Sequence, residues 1–176
     1  MIKIIFIAIG MAVAAFMLYA TTRPDSFHIE RTVRINAAPA AIYPYMSDFH
    51  KGKLWVPYEL KDPGMKRTFS GAESGKGSIY EFAGNKNVGQ GRLEIVEATA
   101  PTHVVLTLDM TEPMQAHNRV DYTIVPMDNG SQVTWAMSGT CGYLGKLVGI
   151  FMNVDKMVGK DFTTGLANLK TLVESK

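Results

Sequence analysis

Along most of the chain apolar and polar side chains alternate with a period of two, and near the end the period becomes that of a helix. Phe27, Ile29, Val33 and Ile35 alternate with His28, Glu30, Thr32 and Arg34, which predicts a half-buried first strand. Six more strands are expected at 65–70, 77–83, 90–97, 103–110, 116–125 and 132–139. Several show one apolar face: Val104, Leu106, Leu108 and Met110; Val120, Tyr122 and Ile124; Val133, Trp135 and Met137. The connections are short and carry Gly, Asn and Asp, so consecutive strands must run antiparallel. From 155 to 174, Val158, Phe162, Gly165, Leu166, Leu169, Leu172 and Val173 fall in one stripe at helical spacing. Lys156, Lys160, Thr163, Lys170, Thr171 and Glu174 fall opposite. That is a helix of about five turns with one face to bury, and the sheet is the surface available to it. Trp135 shares its side of the strand with Val133 and Met137 and should point at this helix. Gly165 lies mid-helix, where glycine costs about 1 kcal/mol relative to alanine. It marks either a close helix–sheet approach or space left open beneath the helix.

Between the first and second strands, Asn36-Ala37-Ala38-Pro39 reads as a turn into a short helix with Ile42, Tyr43 and Met46 on its apolar side. Pro44 and Ser47-Asp48 limit its length, and a loop over 49–64 carries Trp55, Pro57 and Tyr58. The sum is an α+β fold, a curved antiparallel sheet of about seven strands wrapped around a long C-terminal helix. A different pattern precedes it. Residues 4–20 contain no charge, with Lys3 before and Arg23 after, which predicts an N-terminal transmembrane helix at the short end of what spans a bilayer. The rival is a cleaved signal peptide, but Leu18-Tyr19-Ala20 is a poor cleavage site because Leu18 is large. The organisation expected is therefore a membrane anchor (or signal peptide) and linker over 1–25 and a folded domain over 26–176. Lys3 argues for the N-terminus inside, whereas Arg23, Arg31 and Arg34 pull the other way. A single-pass protein with its domain outside the cytoplasm is the reading adopted. The segment 142–152 is apolar almost all round, yet three glycines interrupt it. It should cap the core, lie against a cavity mouth, or dip into the membrane interface.

Composition narrows the chemistry. Hydrophobic content of 47% with 19% charged residues belongs to a globular chain carrying a membrane-type segment. A net charge of +2 without a basic run argues against nucleic acid. Cys141 is the sole cysteine, so neither an internal disulfide nor a cysteine metal site is available. His28, His50, His103 and His117 lack metal-ligand spacing, and nothing places Ser70, Ser78 or Ser138 beside a histidine and a carboxylate. The glycine-rich stretches 71–77 and 84–91 sit between strands and open no helix, which makes them hairpin turns rather than phosphate cradles. No catalytic residue, metal site or cofactor is expected.

Five local patterns in order carry a resemblance: Ile35-Asn36-Ala37-Ala38-Pro39, Gly75 through Phe82, Gly89 through Ile95, Val133-Thr134-Trp135-Ala136-Met137-Ser138-Gly139, and Gly165-Leu166-Ala167-Asn168-Leu169-Lys170. The sequence resembles the START-like, SRPBCC superfamily, the helix-grip fold shared by polyketide cyclases, lipid-transfer domains and the major pollen allergens. It departs from the pattern at Gly52, where the family often has an aromatic residue, and at Phe82, where it often has tryptophan. The resemblance implies a cavity between sheet and helix, whose lining would be Trp55, Tyr58, Tyr80, Phe82, Leu93, Leu106, Leu108, Asn118, Tyr122, Trp135, Met137, Phe151, Val158, Phe162 and Gly165. A few polar groups in an aromatic and aliphatic pocket suit an amphipathic ligand. The expected function is a membrane-tethered binding domain for a hydrophobic small molecule or lipid. Two alternatives stand beside it. One is a polyketide cyclase- or dehydratase-like enzyme in which Asn118, Tyr122 or Arg92 orients carbonyls. The other is a protein-interaction module like the chaperone-activator relatives of the fold.

Overall fold

A computed structural model describes residues 2–151 and 153–175, and their side chains apart from positions 2, 3, 8, 144, 148 and 151. The alternating segments form seven strands: β1 (Ser26–Ile35), β2 (Lys66–Gly71), β3 (Ser78–Ala83), β4 (Gln90–Thr99), β5 (His103–Glu112), β6 (Ala116–Met127) and β7 (Gly130–Thr140). Each lies within a few residues of its expected place. They make one antiparallel sheet in the order β1-β7-β6-β5-β4-β3-β2. Strands β2 to β7 form a meander, and β1 closes onto its last strand with Phe27 opposite Gly139 and Val33 opposite Val133. Register shifts in β4, between Gln90 and Gly91 and between Ile95 and Glu97, bend the sheet as bulges do. The glycines at 77 and 89 take φ of 87° and 80° in tight connections between strands, which is the turn role the sequence suggested.

The C-terminal helix, here numbered last as α7 (Val154–Glu174), lies across the concave face. Asn153 caps it by accepting from the Lys156 amide at 2.8 Å. Phe162, Leu166, Leu169 and Val173 are buried, while Lys156, Lys160, Thr163, Thr171 and Glu174 are exposed, so the stripe read from periodicity is the packed face. The core beneath it joins Ile29, Ile35, Leu106, Ile124, Val133 and Trp135.

The segment between β1 and β2 differs from expectation. The one short helix is split at Pro44 into α2 (Pro39–Ile42) and α3 (Pro44–Ser47). The 49–64 stretch, read as loop, contains two further single turns, α4 (Phe49–Gly52) and α5 (Tyr58–Lys61). Four-residue turns are too short to show a period. Asp48 caps α4 by accepting from the His50 amide at 2.8 Å. Trp55, between them, is 1% exposed and donates from Nε1 to the Tyr45 carbonyl at 2.9 Å. Asn168 on α7 donates to the Trp55 carbonyl at 3.2 Å, so the segment is pinned across the helix.

The N-terminal helix α1 (Ile2–Thr21) is long and apolar enough to cross a membrane, a test that a signal sequence also passes. It packs beside α6 (Tyr143–Phe151): the Tyr143 hydroxyl donates to the Met17 carbonyl at 3.3 Å, and Lys146 pairs with Asp25. The glycines at 145 and 149 do not prevent that helix from forming, because tertiary contact overrides propensity.

Candidate functional site

The inner face of the sheet is not filled evenly. Val104 and Leu106 are buried on β5, whereas Leu108 and Met110 are half-buried. The same gradient runs from Val133 and Trp135 to Met137 on β7, from Ile95 to Leu93 on β4, and from Tyr80 to Phe82 on β3. Register places all the less covered positions toward one end of the sheet, since Gly91 pairs with both Met110 and Phe82, and Gly139 with Phe27. That is the end at which β1 begins, shortly after α1.

There the sheet, the 45–65 segment and α7 enclose a cavity of about 260 Å³. Ten of the expected wall positions on strands and helix border it: Tyr80 and Phe82 on β3, Leu93 on β4, Leu106 and Leu108 on β5, Asn118 and Tyr122 on β6, Trp135 and Met137 on β7, and Phe162 on α7. Trp55 and Tyr58 border it from the opposite side, together with Tyr45, Phe49, Gly52, Lys53, Val56, Glu59 and Met65. Val88, Met110 and Val120 complete the wall. Met110 and Val120 could have been added from the two-residue alternation that selected their neighbours. Glu59 carried no signal, because a lone carboxylate in a polar loop looks solvated.

Two expected positions do not border the cavity. A Cβ at Gly165 would stand 2.8 Å from Trp135 Cζ3 and 2.9 Å from Pro57 Cδ, so the gap in the stripe is closed by the tryptophan edge and the proline ring. Val158 packs at the margin of the core instead. Phe151 falls outside the described side chains. The described residues of α6 contribute nothing to the wall, so the expectation that 142–152 covers the cavity mouth is not met by them. Their packing partner is α1. Arg92, one of the groups suggested to orient carbonyls, lies on the outer face beside Glu94 at 2.6 Å, since it neighbours the inward-facing Leu93.

Polar groups on the wall divide into two sets. Glu59 is fully engaged: Tyr80 Oη donates to one carboxylate oxygen at 2.6 Å and Arg67 Nε to the other at 2.7 Å. Burial, then the Glu59 carboxylate, pushes the Tyr80 phenol well above its ordinary range. Burial likewise raises Tyr58, with the Asp161 carboxylate adding to it, and raises Tyr122, with Tyr58 adding to it. The second set is unpartnered. Among the described residues Trp135 Nε1 and Asn118 Oδ1 are buried without a hydrogen-bond partner, each such group costing about 1–3 kcal/mol. Trp135 is held rigidly, stacked on Phe162 with ring centres 4.0 Å apart and packed edge-on by Trp55 and Tyr122 at 5.2 and 5.5 Å. The four histidines lie off the wall: His28, His103 and His117 pair with Glu30, Asp121 and Asp109, and His50 stacks on Phe69. Among the described residues no cluster of His, Cys, Asp or Glu could hold a metal ion.

Residues 26–174 match the family described as polyketide cyclase / dehydrase and lipid transport. The chain belongs to that family. Solved structures with the same fold include protein CV1439 from Chromobacterium violaceum, 15% identical with a TM-score of 0.60, covering 86% of this chain and 99% of that one. Protein MLL2253 from Mesorhizobium loti is 14% identical with a TM-score of 0.61, covering 86% and 98%. The Aha1 dimer from Colwellia psychrerythraea is 15% identical with a TM-score of 0.54, covering 85% and 95%. At these identities the likeness is one of fold. No curated protein matches the sequence. For a member of the polyketide cyclase / dehydrase and lipid transport family, the two departures noted in the sequence acquire a place: Gly52 and Phe82 both border the cavity, so they set its shape.

Proposed function

We propose that this chain is a membrane-tethered binding domain for a hydrophobic small molecule or lipid. The observation that carries the reading is the cavity, enclosed by aromatic and aliphatic side chains with a few polar groups among them, the make-up of a small-molecule site. Its volume is below the range of roughly 300–1,000 Å³ for drug-sized ligands. One chain or a small ring system suits it better than a two-chain lipid. Tethering is supported by α1, whose side chains Ile4, Phe6 and Leu18 are largely exposed, an arrangement that water disfavours and a bilayer accepts. The less covered end of the sheet is also the end nearest α1, which suits exchange of an apolar ligand with the membrane. Catalysis by a positioned acid or base finds less support, since both oxygens of Glu59 are already engaged.

Both tryptophans of the chain, Trp55 and Trp135, border the cavity, so intrinsic fluorescence reports its occupancy. The full chain in detergent should be quenched saturably by a bromine-labelled long-chain ester. The double substitution Leu93→Phe with Leu108→Phe, which fills the space, should abolish the saturable part. Equal quenching of both proteins would overturn the reading. Alkaline carbonate extraction tests the tether: the chain should stay in the membrane fraction. Release with a new N-terminus near Thr21 would identify a signal peptide instead.

A further inference from the structure

The joint between α1 and the domain says how the domain meets the membrane, granted the reading of α1 as a span. Only residues 22–25 separate α1 from β1, and they are not a free tether. The Thr22 and Arg23 amides donate back to the Tyr19 and Ala20 carbonyls at 3.2 Å each, and the Cys141 amide donates to the Asp25 carbonyl at 2.7 Å. Lys146 of α6 pairs with the Asp25 carboxylate. The linker is bonded at both ends, so the orientation of the domain follows that of α1.

α6 is the element that this joint brings against α1. Its sequence holds a single charge, Lys146, and that side chain is only 10% exposed, turned onto Asp25. No charge is left for the rest of the α6 surface, on which Tyr143 and Gly149 are exposed. Water disfavours such a surface. α1 has 20 residues, about 30 Å at 1.5 Å per residue, which is the thickness of a hydrocarbon core. The Tyr143 hydroxyl donates to the Met17 carbonyl, four residues before the end of α1 and so roughly 6 Å inside it. Tyr19 lies within the same turn, with the Arg23 guanidinium 5.0 Å from its ring centre. Tyrosines with an arginine just beyond them suit the boundary between hydrocarbon and headgroups. The start of α6 is level with that boundary.

We propose that α6 is a second membrane-contacting element, lying in the headgroup region beside the emerging end of α1, and that it holds the less covered end of the sheet toward the bilayer. α6 follows β7 from that end, just past the pairing of Gly139 with Phe27. Met114, 49% exposed in the β5–β6 connection, lies at the same end, because Met110 pairs with Ala116 and Asn118 with Gly139. An apolar ligand then passes between bilayer and cavity without crossing bulk water.

The test is electron paramagnetic resonance of the spin-labelled full chain in phosphatidylcholine vesicles. It compares collision with oxygen, which concentrates in the bilayer, and with a water-soluble nickel chelate. Each protein carries Cys141→Ser and one new cysteine. Gly149→Cys reads α6, since a Cβ there meets nothing within 4 Å. Met114→Cys reads the rim, Val13→Cys the span and Met127→Cys the β6–β7 connection at the far end, all three at exposed positions. The oxygen-to-nickel ratio should be highest at 13, lowest at 127 and intermediate at 149 and 114, placing those two within about 5–10 Å of the headgroup boundary. A ratio at 149 or 114 as low as at 127 overturns the proposal while α1 stays in the membrane. So does a label at 149 shielded from both reagents and broadened by a neighbouring copy, or one as deep as that at 13. If the label at 13 meets nickel as freely as that at 127, the span itself has failed. Where Gly149→Cys disturbs the thermal melt, Gly142→Cys takes its place, because an added Cβ there also meets nothing within 4 Å.

Discussion

Gly165→Ala sets two effects of known sign against each other. Within a helix, alanine is favoured over glycine by about 1 kcal/mol. By propensity alone the substitution would stabilise α7. The added methyl would, however, stand 2.8 Å from Trp135 Cζ3, 2.9 Å from Pro57 Cδ and 3.3 Å from Pro57 Cγ. Carbon atoms in contact prefer about 3.5–4.0 Å, so something must move by more than half an ångström. Trp135 has little freedom, stacked on Phe162 and enclosed by Trp55 and Tyr122. Pro57 belongs to the segment pinned by the Trp55 and Asn168 hydrogen bonds. Overpacking of this kind costs about 1–3 kcal/mol, which outweighs the propensity gain. The expected outcome is a net loss of about 1 kcal/mol, or a fall of about 2–4 °C in Tm for a domain of this size. Gly159→Ala is the control on the same helix. Its methyl would meet the Arg31 guanidinium, the far end of a flexible and partly exposed side chain that can swing away at the cost of its exposed ion pair with Asp155. It should therefore melt above Gly165→Ala. Thermal and urea melts of both variants, with the m-value checked for constancy, make the measurement. A Gly165→Ala protein as stable as the parent, or more so, would refute the close approach of helix and tryptophan.

Trp135→Ala should cost about 3–5 kcal/mol in denaturant melts, since a buried ring held by three aromatic neighbours leaves a large void; a loss under about 1 kcal/mol would contradict that packing. Tyr58, Tyr80 and Tyr122 should stay protonated where exposed phenols ionise, near pH 10, in an ultraviolet titration. Because their folded pKa values are raised, the stability they contribute is complete below the unfolded value and is lost as pH rises beyond it; three early, reversible ionisations would count against their burial. Glu174 has the opposite sign: the Asn36 N–H, then Lys170, holds its carboxyl below the ordinary 4.5. Its contribution is present above that value and is lost as pH falls through the folded pKa, so Glu174→Gln should flatten the acid limb of the stability profile. An unchanged acid limb would show that the contact does not persist in solution.

Period, together with the turn residues between elements, was enough to place the seven strands and the long helix, because a half-buried sheet and an amphipathic helix each repeat their apolar positions at the spacing of their backbone. Residues such as Val133, Trp135, Phe162 and Leu166 therefore declared the faces on which they lie before any contact was known. Short turns with Gly, Asn and Asp made the meander antiparallel on the same local grounds. The antiparallel pairing of β1 with β7 joins residues a hundred positions apart, and no local pattern encodes it. Gly165 shows the boundary sharply. Sequence stated that the stripe has a gap, but only the approach of Trp135 and Pro57, from two other parts of the chain, decided that the gap is filled. The 49–64 segment is the fuller case: its single helical turns carry no period, and its burial rests on Trp55 reaching Tyr45 and Asn168 reaching Trp55. Glu59 joins the cavity wall for the same reason, through Arg67 and Tyr80. Sequence determines what each element must bury; which side chains meet, and which are left without partners around a cavity, depends on the simultaneous packing of elements far apart in the chain.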